Sequence, residues 1–272
     1  TAETDLAPLS RGAGPGATTG GANAVPSATR RQADGTSVRL KGRLAEAGVA
    51  ESVALTDRKP DWMRAPVRHG AGVLQLKQTV RDLGLVTVCE EAGCPNLSEC
   101  WSEGTATFMV CGERCTRACG FCLVDTRHPE PLDVGEPGRV AEAVRRMDLD
   151  FAVITMVARD DLPDGGAAHV AATVEAIRAA RPATQVETLI SDLKGDPASL
   201  AVLLAVRPDV VNHNIETVAR LQRAVRPSAS YPRSLAVLAR AHAAGLTVKS
   251  GLVLGMGETA DEVLATLADL AA

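Results

Sequence analysis

The sequence predicts an α/β fold in which βα units build a parallel sheet behind a cysteine-bearing extension. Three observations carry this. From Thr105 onward, β-rich runs alternate with segments of helical period. The chain of 272 residues is long enough for a sizeable core, as one large domain or two small ones. All seven cysteines fall within the 34 residues from Cys89 to Cys122, at the front of that alternation.

The elements follow in order. Residues 1–35 carry six Gly and three Pro among Thr, Ala and Ser, and no aromatic side chain precedes Trp62. Such a stretch buries too little apolar surface to offset its ordering entropy and reads as disordered. A transit peptide is the alternative reading; Glu3, Asp5 and Asp34 speak against it. From Val38 to Leu55 the chain is charged, Ala-rich and weakly helical, and Lys59-Pro60-Asp61-Trp62 leads to an amphipathic helix over Val73 to Leu83. The expected division is therefore 1–55, a cysteine-bearing region over 56–104, and the βα units from 105 to 272. Five strands are expected, at Thr105 to Val110, Phe151 to Val157, Val186 to Ile190, Val210 to Ile215 and Val248 to Leu254. Between them Val140, Ala143, Val144 and Met147 keep the spacing of a buried helical stripe, as do Val170, Val174 and Ile177, and Leu235, Leu238 and His242. Gly245 stands where the last of these helices ends. A final helix carries Val263, Leu267 and Leu270, which makes five βα units and no sixth.

Composition narrows the function. The net charge is −4 and six residues are aromatic, which offers neither a basic footprint nor a stacking platform for nucleic acid. Apolar runs such as Phe151 to Ala158, with Thr155 inside it, are far short of the ~20 residues of a membrane span. An odd number of clustered cysteines without a signal peptide points to metal ligation or thiol chemistry in a reducing compartment.

Cys115-Thr-Arg-Ala-Cys119-Gly-Phe-Cys122 has the spacing C-x3-C-x2-C just after a strand. Three thiolates on one tight loop can hold three irons of a cubane cluster and leave the fourth open. Structural zinc, the plainer alternative, takes four protein ligands, and no second knuckle or His pair follows. Upstream, Cys89, Cys94 and Cys100 form a second triad spaced C-x4-C-x5-C. Cys111 lies on the strand itself and reads as a small buried residue.

The C-x3-C-x2-C loop resembles the signature of radical S-adenosylmethionine enzymes. With the upstream triad, Gly104-Thr-Ala-Thr-Phe108, Arg159-Asp-Asp-Leu-Pro-Asp-Gly-Gly166 and His213-Asn-Ile-Glu-Thr217, the chain resembles the lipoyl synthase family from about Asp57 to its last residue. The resemblance implies a partial (β/α) barrel of the radical type. It implies two 4Fe-4S clusters and S-adenosyl-L-methionine, chelated by the open iron and cleaved to a 5′-deoxyadenosyl radical. Cys115, Cys119 and Cys122 would hold that cluster. Cys89, Cys94 and Cys100 would hold an auxiliary cluster consumed as sulfur donor. The substrate would be an octanoylated lipoyl carrier domain, sulfur entering at carbons six and eight, with ferredoxin or flavodoxin as electron donor. Bacterial cytoplasm is the expected compartment, ahead of an organelle. The family's C-terminal serine, the fourth ligand of the auxiliary cluster, has no match before Ala272, so the chain reads as a C-terminally truncated form.

The same resemblance assigns further cofactor contacts, each beside a plainer reading. Phe121 lies near the adenine or simply packs the loop. Gly251, Gly255 and Glu258 belong to a glycine-rich strand end that meets the adenine through its backbone, or provide close packing. Asn214 and Glu216 end the fourth strand, at the face where barrel loops carry chemistry, and contact ribose or methionine. Lys249 pairs with the cofactor carboxylate or ends a strand in solvent, and His213 reads as a satisfied core histidine. Arg159, Asp160, Asp161 and Asp164 position cofactor or substrate, or form a solvated loop. Thr155-Met156-Val157 departs from the family, which puts a serine hydroxyl contact there in doubt. Two other readings remain at this point: a different radical sulfur-inserting enzyme, such as one resembling biotin synthase, and a non-catalytic iron or zinc module.

Overall fold

The computed structural model describes residues 38–49, 71–91, 94 and 96–272. The expectations for residues 1–35 and for Lys59-Pro60-Asp61-Trp62 lie outside them. Six strands form one open sheet in the order β1 (Val86–Thr87), β2 (Thr105–Val110), β3 (Phe151–Met156), β4 (Gln185–Leu189), β5 (Val210–Asn212) and β6 (Thr247–Lys249). Strands β2 to β6 are parallel, as expected, and β1 adds an antiparallel edge that the sequence reading did not foresee. Two residues carry no readable alternation, so β1 is visible only through its pairing of Val86 with Met109 and Thr87 with Phe108.

Helices α1 (Val38–Glu46), α2 (Ala71–Asp82), α3 (Val88–Glu91) and α4 (Leu97–Ser102) precede β2. The crossovers are α5 (Glu136–Arg146), α6 (Ala167–Ala180), α7 (Pro197–Ala205), the pair α8 (Gln222–Val225) and α9 (Tyr231–Ala243), and α10 (Ala260–Ala271). Their starts are written in the sequence. Asp196 caps α7 by accepting from the backbone N–H of Ser199 ahead of Pro197 at its first turn, and Thr259 and Glu262 form a capping box at α10.

Parallel pairing aligns side chains in rows. Ala106, Phe108, Val110, Ala152, Ile154, Val186 and Val211 point to one face, where each is buried. The opposite face carries Thr107, Val153, Glu187, Val210 and Thr247 in one row, then Met109, Thr155, Leu189, Asn212 and Lys249. Strands β5 and β6 are shorter than the apolar runs suggest. The chain leaves the ladder after Asn212 and Lys249, and Glu216 takes a left-handed φ of 66°, which redirects the segment toward Gly251. Among the described residues the sheet ends at β6, where a groove of about 1000 Å³ runs between α9 and α10 past Leu238, Leu246 and Leu270, away from the cysteines. No helix among the described residues is long and apolar enough to cross a membrane.

Candidate active site

The C-x3-C-x2-C loop leaves β2 through Cys111, which is fully buried and holds a left-handed φ of 68°. Glu136 at the start of α5 accepts the Cys111 N–H at 2.8 Å, and Arg159 donates to its carbonyl at 3.0 Å. Cys111 is thus a core residue, as its sequence position suggested. Farther on, the Cys115 N–H donates to the carbonyl of Asp125 at 2.8 Å, which closes the loop on itself. Gly120 donates to the carbonyl of Val225 at 2.7 Å, and a side chain there would collide with Leu40 of α1.

Cys115, Cys119 and Cys122 converge closely enough that ionising one opposes the others. Burial pushes the Cys119 thiol up to about 11, against the attraction of Arg226. Cys122 is exposed as a residue, and desolvation of its thiol by the surrounding chain raises it too, opposed by backbone N–H groups of Val124 and Leu123. The Arg117 N–H donates to the Cys115 sulfur at 3.4 Å. Backbone N–H donors aimed at cysteine sulfurs suit thiolates that carry an iron–sulfur cluster, so this donor set fits the expected group. The second triad converges as well: burial raises Cys100, and Cys89 and Cys94 add to it. Next to Cys100 in the chain, the indole Nε1–H of Trp101 is a buried donor with no partner among the described residues. Among the described residues, no three His, Cys, Asp or Glu side chains are close enough together to hold a single metal ion.

The strand ends bring part of the expected cofactor site to this loop. Glu216 donates its N–H to the Gly251 carbonyl at 2.9 Å, and Val253 returns a bond to Glu216 at 2.8 Å. A Cβ on Gly251 would stand 3.0 Å from the Asn214 side-chain oxygen, so Asn214, Glu216 and Gly251 are close neighbours in one constellation. Burial raises the Glu216 carboxyl despite Arg226, and Glu216 lies close enough to Cys119 and Cys122 to raise both.

Other expected contacts have different partners. Lys249 donates to both carboxylate oxygens of buried Glu187 at 3.0 Å, and Asn212 to one of them at 2.7 Å. Phe121 packs with Leu40, Val225 and Met256 in an apolar cluster. Glu258 accepts the N–H groups of Gly255 and Met256 in its own turn. The loop after β3 is a paired network, not a solvated one: Asp161 pairs with Arg159, Asp160 with Arg117, and Asp164 accepts the N–H of Gly166 and Ala168 at the start of α6. His213 is the satisfied core histidine expected, bonded to the Ile190 carbonyl and the Ser234 hydroxyl, each at 2.8 Å.

Two cations escaped the sequence reading. Arg226 is buried, donates to the carbonyls of Asn214 and Ile215 at 3.1 Å, and faces Cys119. Arg117 sits inside the cysteine loop. The signal for the latter was present, an arginine flanked by candidate ligands; Arg226 had none.

A family model for the radical SAM superfamily matches residues 109–270, and one for the N-terminal domain of lipoyl synthase matches residues 36–94. The lipoyl synthase of Mycolicibacterium paratuberculosis is 52% identical over 233 residues, covering 86% of this chain and 74% of that protein. That of Mycobacterium tuberculosis is 51% identical over 235 residues, covering 86% and 76%. Among solved structures, methylornithine synthase overlays with a TM-score of 0.47 at 13% identity, covering 84% of this chain and 63% of that one.

Proposed function

The chain belongs to the lipoyl synthase family of the radical S-adenosylmethionine superfamily, and from that premise we propose how its two cysteine triads divide the work. The enzyme inserts two sulfur atoms by radical chemistry into a protein-bound octanoyl chain, at carbons six and eight, to form the lipoyl group. A 4Fe-4S cluster and S-adenosyl-L-methionine serve it, and when bound they supply one-electron chemistry that removes hydrogen as an atom from methylenes with no acidity for a base to exploit.

We assign that cluster to Cys115, Cys119 and Cys122. The sulfur source, a second 4Fe-4S cluster consumed as substrate, we assign to Cys89, Cys94 and Cys100. The observation that supports this division is placement: Cys119 and Cys122 lie close enough to Glu216, beside Asn214 and Gly251, to feel its charge, whereas the charges that act on Cys100 are Cys89, Cys94, Glu103 and Glu99. Asn214 and Glu216 would orient the cofactor's polar groups, and the Gly251 backbone admits close approach. Arg226 fixes this segment through its carbonyls and favours the Cys119 thiolate. Phe121 and Met256 keep water from the underside of the loop. Gly255 and Glu258 shape the turn beside it. Lys249 stands with buried Glu187 on the sheet face opposite Ala106, Phe108 and Val211. A low-potential carrier such as ferredoxin or flavodoxin would deliver the electron where Cys122 is exposed.

The test is anaerobic reconstitution followed by iron and sulfide analysis, then conversion of an octanoylated carrier domain followed by mass spectrometry. The division predicts about eight irons and eight sulfides per chain, with 5′-deoxyadenosine and lipoyl product. About four irons, or zinc without sulfide, refutes the two-cluster assignment.

A further inference from the structure

We propose that Arg117 is a positioning residue, whose guanidinium clamps the C-x3-C-x2-C loop to the ends of β3 and β4 and so sets the geometry of its three thiols. The inference rests on the assignment of that loop as the cluster site.

Arg117 is 7% exposed and lies between Cys115 and Cys119. Its Nε donates to Asp160 at 2.7 Å, and its Nη2 to Asp160 at 2.8 Å and to Asp192 at 2.6 Å. Asp160 follows β3. Asp192 follows β4, is fully buried, and is held in turn by the Lys194 N–H at 3.1 Å and by Arg233 of α9 at 3.3 Å. Thr116 doubles the attachment: its N–H and hydroxyl both donate to the Ala158 carbonyl, at 3.0 and 2.9 Å, and the Asp160 N–H donates to that hydroxyl at 3.0 Å. The Arg117 N–H meanwhile donates to the Cys115 sulfur. One residue therefore touches a candidate ligand through its backbone and two neighbouring βα loops through its side chain.

The electrostatics agree. Burial pushes the Asp160 and Asp192 carboxyls up, but the bonds and charge of Arg117 outweigh it and hold both below their usual range. Ion pairs desolvated to this degree add little net stability beside apolar residues of the same volume. What they add is direction, because a planar fork fixes the angle between two carboxylates as no methylene contact can. A lysine would keep the charge and lose that angle.

The experiment compares the parent with Arg117→Lys, first free of iron. Cys119 reports opening of the loop and fully buried Cys111 reports global unfolding, both read as alkylation rates by mass spectrometry. The clamp predicts that Cys119 reacts roughly tenfold faster in the variant while Cys111 does not change, since charge-assisted bonds that close the loop are lost. After reconstitution, the electron paramagnetic resonance line of the reduced cluster should broaden. Equal Cys119 rates and an unchanged line, or equal acceleration of Cys119 and Cys111, would overturn the proposal. Should Arg117→Lys not fold, the double variant Arg117→Met, Asp160→Asn, which removes one charge of each sign and leaves Asp192 paired with Arg233, takes its place under the same criteria. A parent chain whose line survives loss of Cys115, Cys119 and Cys122 refutes the cluster assignment instead, and leaves the alkylation result to judge the clamp.

Discussion

Cys89, Cys94 and Cys100 sit on and between short helices that also carry Glu90, Glu99 and two serines, and that pack inward through Trp101, 3% exposed in the main core with Phe108 and Met109 of β2. Cys115, Cys119 and Cys122 sit on a loop without regular structure, which Glu136, Arg159 and Arg117 fix through charge-assisted bonds at its entry and centre. Packing holds the upstream triad and polar bonds dominate at the loop triad. Packing tolerates small displacements, because dispersion and burial are weakly directional; hydrogen bonds to charged groups do not. On the proposed division, the loop that must align a cofactor is the directional one, and the helices carry the cluster that is used up.

The sharpest break in this comparison comes from emptying each triad in turn. Changing Cys115, Cys119 and Cys122 to Ala should remove 5′-deoxyadenosine formation to background. Changing Cys89, Cys94 and Cys100 should leave cleavage within roughly tenfold of the parent, since no group at the cofactor is touched, while lipoyl product disappears. Sulfur insertion that survives the second change would end the division of labour. Trp101→Ala sharpens the contrast at the level of stability. Removing a buried indole should cost about 3–5 kcal/mol, seen as a lowered urea midpoint of the iron-free protein. It should also reduce the iron bound by the upstream triad alone.

Much of this was legible in the sequence for physical reasons that differ by element. The five parallel strands and their helices declared themselves because buried strands are apolar runs and their crossovers carry one apolar stripe. The cysteine triads declared themselves because ligand spacing is local. The polar clamps did not: Arg117 meets Asp192 across 75 positions and Arg159 meets Cys111 across 48, and neither pairing leaves a local trace. The partner of Lys249 was hidden for the same reason, since Glu187 lies 62 positions before it on a neighbouring but one strand.

Acid separates the two regions by a smaller margin. Burial pushes His213 down to about 4 from 6.5, with Arg226 adding to the effect and the Ile190 contact opposing it. The folded chain keeps this imidazole neutral where the unfolded chain protonates it, so stability is full above the unfolded value and declines as pH falls from 6.5 toward 4. The loss approaches about 3 kcal/mol. Urea midpoints measured at pH 7.5 and pH 5 should fall for the parent and fall less for His213→Gln. Equal pH dependence in the two proteins would show that His213 is not the group titrated.

The smallest effect tests a place where packing enters the polar loop. Gly120 donates to the Val225 carbonyl at 2.7 Å, which fixes its backbone. A Cβ placed there would stand 2.5 Å from the Leu40 Cδ1 and 3.0 Å from its Cγ, and Leu40 is 5% exposed in the cluster that also holds Phe121. With its backbone held, an alanine can be accommodated only if Leu40 or all of α1 moves aside. Gly120→Ala should therefore cost about 1–3 kcal/mol by overpacking. Leu40→Ala removes the obstacle, so the double variant should be more stable than the sum of the two singles predicts, by about 1 kcal/mol in a thermodynamic cycle. Additive costs, within about 0.5 kcal/mol, would mean that α1 does not rest on the cysteine loop in solution, and the loop triad would then be held without that contact.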